Sequence, residues 1–322
     1  MNLDTIRTLV KEDFQATDEL IYASIHADVE LAQKVGEHII NSGGKRLRPL
    51  LVLLCARALN YAGTQHRHLA TIVEFIHTAT LLHDDVIDES LLRRGRETAN
   101  AIWGNAASVL SGDFLYSRAF QLMVSLGNLK VMEVLANASN QLAEGELQQL
   151  VNCNDPNVDE AAYMRVIYCK TARLFEAAAQ LSAVLANSSE ATEQAFSDYG
   201  KYLGLAFQLV DDAIDYTSSA SDMGKNPGDD LAEGKPTMPT IYAMAKAKPE
   251  QAEIIRAAIK NSDSDALPKV QEILTATQAI EYTLSRAEHF ADLAKNALYN
   301  VPDSVHKQAL LALADLAAHR RN

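Results

Sequence analysis

The stretch Leu81-Leu82-His83-Asp84-Asp85-Val86-Ile87-Asp88 sets three carboxylates into an otherwise apolar run. Carboxylates in apolar surroundings are costly unless a cation or hydrogen bonds neutralise them. On a helix, Asp84 and Asp88 lie one turn apart on the same face. The pattern recurs as Gln208-Leu209-Val210-Asp211-Asp212-Ala213-Ile214-Asp215. A single DDxxD segment on a helix reads equally well as a solvated acidic face. Two of them, each preceded by Leu or Val where a surface face would be polar, read as two walls of one metal site.

Working outward, the apolar spacing predicts helices almost throughout. The first covers 2–22 and the next 28–40, stopped by Asn41-Ser42-Gly43-Gly44. Lys45-Arg46-Leu47-Arg48-Pro49 then forms a basic loop, with Pro49 placed to open a helix over Leu50–Leu59. The first acidic motif ends a helix over 67–89. Leu91–Thr98 (LLRRGRET) reads as a basic loop. Helical patterns continue at 105–127, 129–151, 159–186 and 190–217, the last carrying the second motif. Residues 218–239 hold Gly224, Pro227, Gly228, Gly234, Pro236 and Pro239 among charges and read as a long mobile loop of the kind that serves as a lid. Shorter helices continue to Arg321. No stretch alternates with period two, so the expected fold is all-α. No linker divides the chain, so 1–322 is expected to be one domain, a large helical bundle.

The 322 residues carry 29 Lys and Arg against 42 Asp and Glu, a formal net charge of −13. That balance argues against a broad nucleic-acid or anionic-membrane surface, both of which need clustered positive charge. The longest apolar runs, such as Leu50–Ala56, fall short of the roughly 18 residues of a membrane span. The N-terminal MNLDTIRTLVKEDF places acids where a signal peptide would be apolar. A cytoplasmic protein is expected. Cys55, Cys153 and Cys169 are an odd number without CxxC spacing and read as reduced, buried thiols.

The acidic pairs suit Mg²⁺, which takes oxygen ligands, commonly one or two carboxylates with water and phosphate oxygens. Asp84 and Asp88, facing Asp211, form an oxygen set able to hold several ions around a diphosphate, with Asp85, Asp212 and Asp215 direct or supporting ligands. Basic residues lie near these motifs in the sequence. Lys45, Arg46 and Arg48 come after a Gly-Gly pair that lets backbone approach a phosphate. Arg93 and Arg94 come within two turns of Asp88. Lys170-Thr171 lies mid-helix, and Lys225 and Lys235 lie on the proposed lid. Taken one at a time these are ordinary surface charges. His77, seven residues before Asp84, shares its face and is either a packed core residue or a hydrogen-bond donor to a diphosphate. His83 faces elsewhere and reads as structural.

Gly43-Gly44-Lys45-Arg46-Leu47-Arg48-Pro49, the first DDxxD with Arg93-Arg94-Gly95, Lys170-Thr171, Gln208 with the second DDxxD, Gly224-Lys225, Gly228-Asp229-Asp230-Leu231 and Gly234-Lys235 occur in this order. The chain thereby resembles the trans-isoprenyl diphosphate synthases, over about two-thirds of its length, and among them the long-chain bacterial members of the quinone side-chain pathway. The resemblance implies an isoprenoid synthase bundle around a central cavity, two or three Mg²⁺ per site, and a homodimer. It implies repeated condensation of isopentenyl diphosphate onto an allylic diphosphate, farnesyl diphosphate being the expected primer, giving an octaprenyl product that passes to the membrane. By resemblance, Asp84, Asp88 and Asp211 are metal ligands, with Asp85, Asp212 and Asp215 supporting. Lys45, Arg48, His77 and Arg94 bind isopentenyl diphosphate. Arg93, Lys170, Thr171, Gln208, Lys225 and Lys235 face the allylic diphosphate, and Lys170 and Lys225 also act in catalysis.

In short-chain members, bulky aromatics five and four residues before the first Asp block growth. Here Ala79 and Thr80 stand there, which implies an open tunnel, with Phe120 or Met123 as its floor. These are equally well ordinary core residues. Two rivals compete. A class I terpene cyclase also uses DDxxD and Mg²⁺ but has no use for the Gly43–Pro49 stretch. A non-catalytic partner subunit of a heteromeric synthase typically loses an acidic motif, and both stand intact here.

Overall fold

The structure, a computed structural model, describes residues 1–217 and 227–320. It is almost wholly helical: α1 (Leu3–Thr8), α2 (Lys11–Ser24), α3 (Glu30–Asn41), α4 (Leu47–Ala58), α5 (Gln65–Ile87), α6 (Ala99–Trp103), α7 (Asn105–Ser125), α8 (Leu129–Asn152), α9 (Glu160–Ile167), α10 (Arg173–Leu185) and α11 (Glu190–Thr217). Helices over Asp229–Ala232, Met238–Lys246, Pro249–Asn261, Leu267–Ala276, Ala279–Ala297 and Val305–His319 complete the chain. The expected all-α bundle is what forms. No helix among the described residues is long and apolar enough to cross a membrane.

The chain gathers into two compact units. The first holds Met1–Ser139, Leu174–Gly200 and Ala297–Leu313; the second holds Asn140–Arg173, Lys201–Asn296 and Ala314–Asn322. Neither is a continuous stretch, which is why no linker composition marks a boundary in the sequence.

In the first unit α5 packs against α2, α4 and α7. Leu50 to Ala56 on α4 are all fully buried, so the middle of this helix is apolar on every side. Each Leu or Val so buried contributes roughly 1.5–3 kcal/mol. The core of the second unit joins Tyr163, Ile167, Leu205, Leu209, Val210, Ile214 and Met238. A second cluster joins Tyr216, Leu231, Ile255, Ile259, Val270 and Ile273.

Three local expectations change. The predicted helix over 2–22 breaks at Val10, which leaves the helical region (φ −125°, ψ 26°) and is buried beside the core-forming Ile6. The stretch read as a basic loop after Asp88 is a two-stranded hairpin, β1 (Leu92–Arg93) and β2 (Arg96–Glu97). Its two-residue turn, Arg94-Gly95, has φ of 54° and 75°, as a tight hairpin with native twist requires. The segment read as a long mobile loop lies partly outside the described residues. Its described part is ordered, with Gly228 N–H donating to the Asp215 carbonyl (2.9 Å) and Lys235 N–H to the Asp230 carbonyl (2.8 Å). Of the cysteines, expected to be buried, Cys55 is buried and Cys153 and Cys169 are half-buried.

Asp13 ties three helices together. It is 3% exposed and accepts from Arg57 Nε (2.6 Å) and Nη2 (2.8 Å) on α4 and from Arg67 Nε (2.8 Å) on α5, with His66 Nε2 at 3.1 Å. Burial opposes ionisation, but Arg57, Arg67 and His66 outweigh it and bring the carboxyl down to about 2. The folded group ionises at lower pH than the unfolded one, so its contribution is complete above about pH 4 and is lost as pH falls toward 2. Denaturant unfolding of the wild type should therefore lose about 2 kcal/mol from this group between about pH 4 and pH 2. Asp13→Asn should lack that component; an identical acid profile would show the cluster carries no such linkage.

Candidate active site

Helix α5 delivers the first acidic motif, and α7 holds its end in place. Ser108 Oγ donates to the Leu82 carbonyl (2.8 Å), and His83 Nε2 lies 3.2 Å from the Val109 carbonyl and 3.4 Å from Asp113. These contacts tie His83 to α7. Asp88 caps the helix, its N–H donating to the Asp84 carbonyl (2.8 Å), so the two carboxylates do lie one turn apart, both half-buried. Asp85 is fully buried. Arg93 Nε and Nη2 both reach its Oδ1, at 2.8 and 2.7 Å. Asn100 Nδ2 holds its carbonyl (3.1 Å). Arg93, expected to face an allylic diphosphate, pairs with Asp85 through Nε and Nη2: a wholly buried carboxylate needs a cation, and the hairpin supplies one.

The hairpin tip brings Arg94 against the loop after α3. Arg94 Nη1 donates to the Gly43 carbonyl, and Arg96 Nη1 to the Asn41 carbonyl (2.9 Å). A Cβ on Gly44 would lie 2.3 Å from Arg94 Nη1, and Gly44 has φ 121°, so only glycine fits. Arg46 is also left-handed (φ 43°, ψ 47°), a conformation that costs a non-glycine residue about 1–2 kcal/mol. Lys45 is exposed, with its carbonyl accepting from Arg7 Nη2 (2.6 Å). Arg46 turns back, pairing with Asp18 and lying 3.9 Å from the buried Glu74.

Arg48 Nη1 donates to His77 Nε2 (3.1 Å) and stacks over the Phe175 ring at 4.5 Å. Guanidinium has only donors, so Nε2 must accept and the imidazole proton sits on Nδ1. Burial, with Arg48, Arg94 and Arg93 nearby, holds His77 well below the usual histidine range, so it is neutral at physiological pH. Burial raises the Glu74 carboxyl against the pull of Arg46, Arg48 and Arg94. His77, Arg48 and Arg94 are therefore brought together, with the buried Glu74 as a counter-charge to the two guanidiniums. Glu74 escaped sequence reasoning, although its place one turn before His77 on the same face was a signal.

In the second unit a hydrogen-bonded chain supports the second motif. Thr171 Oγ1 donates to Gln208 Oε1 (2.7 Å), and Gln208 Nε2 to Asp212 Oδ1 (2.7 Å). Tyr163 donates to Asp212 Oδ2. Thr171 and Lys170 lie on a single π turn, Tyr168–Ala172, not in a regular helix. Such one-turn bulges re-aim side chains and recur at functional sites. Lys170 Nζ is held by Glu146 (2.6 Å) and Gln149 (2.7 Å) of α8. The approach is close enough that a Cβ on Gly145 would lie 2.9 Å from the Lys170 backbone nitrogen. Lys235 is buried and pairs with Glu233. Lys225 lies outside the described residues.

Asp215 accepts from the Asp230 N–H (3.3 Å). Burial first, then the charge of Asp230, pushes Asp215 up to about 9, and the same causes raise Asp212 well above the carboxylate range. Asp211 is the more exposed member. Arg320 pairs with it, donates to the Phe207 carbonyl (2.8 Å) and lies over the Phe207 ring at 3.8 Å. Tyr163 and Arg320 are contacts the sequence reading missed; both come from segments remote in the chain, and neither has a spacing signal.

Among the described residues no three His, Cys, Asp or Glu side chains come close enough to hold a metal ion by themselves. The donor set nonetheless fits Mg²⁺, which takes few protein ligands and completes its shell with water and phosphate. Both motifs offer carboxylate oxygens. Asp85 Oδ2 is buried without a hydrogen-bond partner, and burial with the neighbouring charge of Asp230 raises both Asp212 and Asp215, which is where a bound cation would be favoured. Ala79 and Met123 are both fully buried, on α5 and α7; Thr80 is half-buried, its hydroxyl on the His77 carbonyl (2.7 Å), and Phe120 is 42% exposed.

Comparison with known proteins identifies the family. The family described as Polyprenyl synthetase matches residues 29–277. The octaprenyl diphosphate synthase of Escherichia coli (strain K12) is 52% identical over 321 residues, 99% of each chain. That of Haemophilus influenzae is 51% identical, over 99% of this chain and 98% of its own. The crystal structure of a polyprenyl synthase from Caulobacter crescentus CB15, complexed with calcium and isoprenyl diphosphate, superposes with TM-score 0.97 at 44% identity, covering 100% of this chain and 98% of that one. A family match across most of the chain, with relatives half identical from end to end, shows that the chain belongs to the polyprenyl synthetase family of prenyltransferases.

Proposed function

We propose that the protein is a Mg²⁺-dependent synthase that adds isopentenyl diphosphate head-to-tail to an allylic diphosphate, farnesyl diphosphate being the expected primer, and makes octaprenyl diphosphate for a quinone side chain. The observation that carries this reading is the basic cluster of Arg48, His77 and Arg94 on the same unit as the Asp84–Asp88 carboxylates. His77 stands two helical turns before Asp84, about 10 Å along the axis. That separation suits a second diphosphate distinct from one bound through metal, which a cyclase acting on a single diphosphate does not need.

In this reading Lys45, Arg48, Arg94 and neutral His77 hold the isopentenyl diphosphate by charge-assisted hydrogen bonds. Asp84, Asp88 and Asp211 are the metal ligands, two or three Mg²⁺ per site. Asp85 is a buried anchor for its neighbours, with Arg93 holding it there. Asp212 and Asp215 support Asp211, with Gln208 and Thr171 aligning Asp212. Arg93, Lys170, Thr171, Gln208, Lys225 and Lys235 serve the allylic diphosphate; the Glu146 and Glu233 contacts pre-position Lys170 and Lys235. Bound Mg²⁺ supplies neutralisation of the charge that grows on the departing pyrophosphate. The allylic C–O bond breaks heterolytically, its electron pair leaving with pyrophosphate. The isopentenyl double bond attacks the cation, and the released pyrophosphate takes the proton then lost, restoring an allylic diphosphate ready for another round. Lys170 and Lys225 stabilise the leaving group as its charge develops.

The small Ala79 and Thr80 leave room for a long chain, with Met123, the buried one of the two candidates, as the floor. The protein acts in the cytoplasm and hands its product to the membrane. It works as a homodimer, for which the exposed apolar residues Leu110, Phe120 and Val124 on α7 offer a surface.

Incubation with labelled isopentenyl diphosphate and farnesyl diphosphate should give a ladder ending at the octaprenyl length on reversed-phase separation. A diphosphate-free hydrocarbon would mean a cyclase. Asp84→Ala should lower turnover about 10²–10³-fold even at saturating Mg²⁺, the scale of losing a key electrostatic contact; near-normal activity would remove the motif from the metal site. Ala79→Phe should shorten the product while early condensations persist. Because the site is fully buried the substitution should also cost about 1–3 kcal/mol in stability. A stable variant making full-length product would sink the tunnel reading.

A further inference from the structure

The loop after α3 carries Lys45 and Arg48, yet its backbone is unfavourable by itself. Gly43, Gly44 and Arg46 all have positive φ (87°, 121° and 43°). Such a stretch holds its shape only when its surroundings over-determine it. Two of its holds come from the N-terminal helices and have no counterpart in the motif. Arg7 on α1 donates from Nη2 to the Lys45 carbonyl (2.6 Å), 38 residues on. Asp18 on α2 pairs with Arg46, the left-handed residue that opens α4. Neither contact involves a side chain assigned to bind diphosphate; each acts on the backbone or the pivot between Lys45 and Arg48.

We propose that Arg7 and Asp18 are positioning residues for the isopentenyl diphosphate site, setting affinity for that substrate by holding the Gly43–Arg48 loop in its binding conformation. This rests on the reading that Lys45 and Arg48 bind isopentenyl diphosphate. The physical basis is preorganisation. A loop ordered before the ligand arrives spares binding the entropy of ordering it. The contacts of Arg46 divide the labour within Lys45-Arg46-Leu47-Arg48. Lys45 is exposed, Arg48 reaches His77, and Arg46 points back to Asp18 and Glu74 as the latch. Arg7 and Asp18 also line an open cleft of about 260 Å³ together with Thr8, Lys11, Phe14 and Gln15, so trimming either extends existing space instead of hollowing a sealed core.

The test is steady-state kinetics on the full-length protein, varying isopentenyl diphosphate at saturating farnesyl diphosphate and then the reverse, for Arg7→Ala, Arg7→Lys, Asp18→Asn and Lys45→Ala. Arg7→Ala should raise KM for isopentenyl diphosphate about tenfold, the scale of one lost charge-assisted hydrogen bond. KM for the allylic substrate and kcat should stay within about twofold of wild type, and Arg7→Lys should recover most of the loss. Asp18→Asn, which keeps the side-chain shape, should show the same selective rise and carries the test if Arg7→Ala folds poorly. A rise shared equally by both substrates, a fall in kcat alone, or no change overturns the proposal. Lys45→Ala separates the two levels. If it raises KM for isopentenyl diphosphate selectively and the Arg7 and Asp18 variants do not, the site reading stands and the positioning role fails. If Lys45→Ala is itself unselective, the site reading fails and the positioning role with it.

Discussion

A carboxylate with no exposed surface sits at the functional end of α5, and the ion pair that makes it tolerable shapes the chain beyond that helix. Asp85 has no exposed surface, and a carboxylate taken out of water is tolerable only with a partner within hydrogen-bond reach. Arg93 answers that demand with two contacts to one oxygen. To deliver Arg93, the chain must reverse just after the helix, and the hairpin over Leu92–Glu97 is the reversal. Its tight turn then thrusts Arg94 onto the Gly43 carbonyl. One buried charge thus accounts for the short sheet, for the position of Arg94, and for the glycine at 44 that leaves room for it.

Charge concentration recurs in the second unit with the opposite balance. There Asp212, Asp215 and Asp230 crowd together, and burial with mutual repulsion raises the first two far above ordinary carboxylate values. Tyr163 and Gln208 satisfy Asp212 as hydrogen-bond donors but bring no charge. Arg320 pairs with Asp211, the more exposed member of the motif. The first unit is rich in guanidinium around His77 and the second is rich in carboxylate around Asp215.

Backbone irregularity is placed where side chains must be aimed. The π turn at Tyr168–Ala172 carries Lys170 and Thr171, and the left-handed residues at 43, 44 and 46 carry the approach to Lys45 and Arg48. Each is held by tertiary contacts: Glu146 and Gln149 on Lys170, Arg7 on the Lys45 carbonyl. Regular helix around these points supplies rigidity, since the apolar faces of α4 and α5 are buried almost without exception.

Much of this protein is legible in its sequence because helix periodicity and caps are local. The span of α11, the stop after α3, and the one-turn spacing of Asp84 and Asp88 all derive from neighbours within a few residues. Even the electrostatic logic of two acidic motifs beside basic loops can be read that way. What the sequence could not determine is which partner each charge takes. Arg93 and Arg94 are adjacent, yet one goes to Asp85 and the other to a backbone carbonyl; Arg46 and Arg48 are two apart, yet one turns to Asp18 and the other to His77. Glu74, Tyr163, Arg7 and Arg320 enter for the same reason. A pairing between residues tens of positions apart depends on how helices pack, and packing is set by the shape of the buried core, which spacing along the chain does not encode.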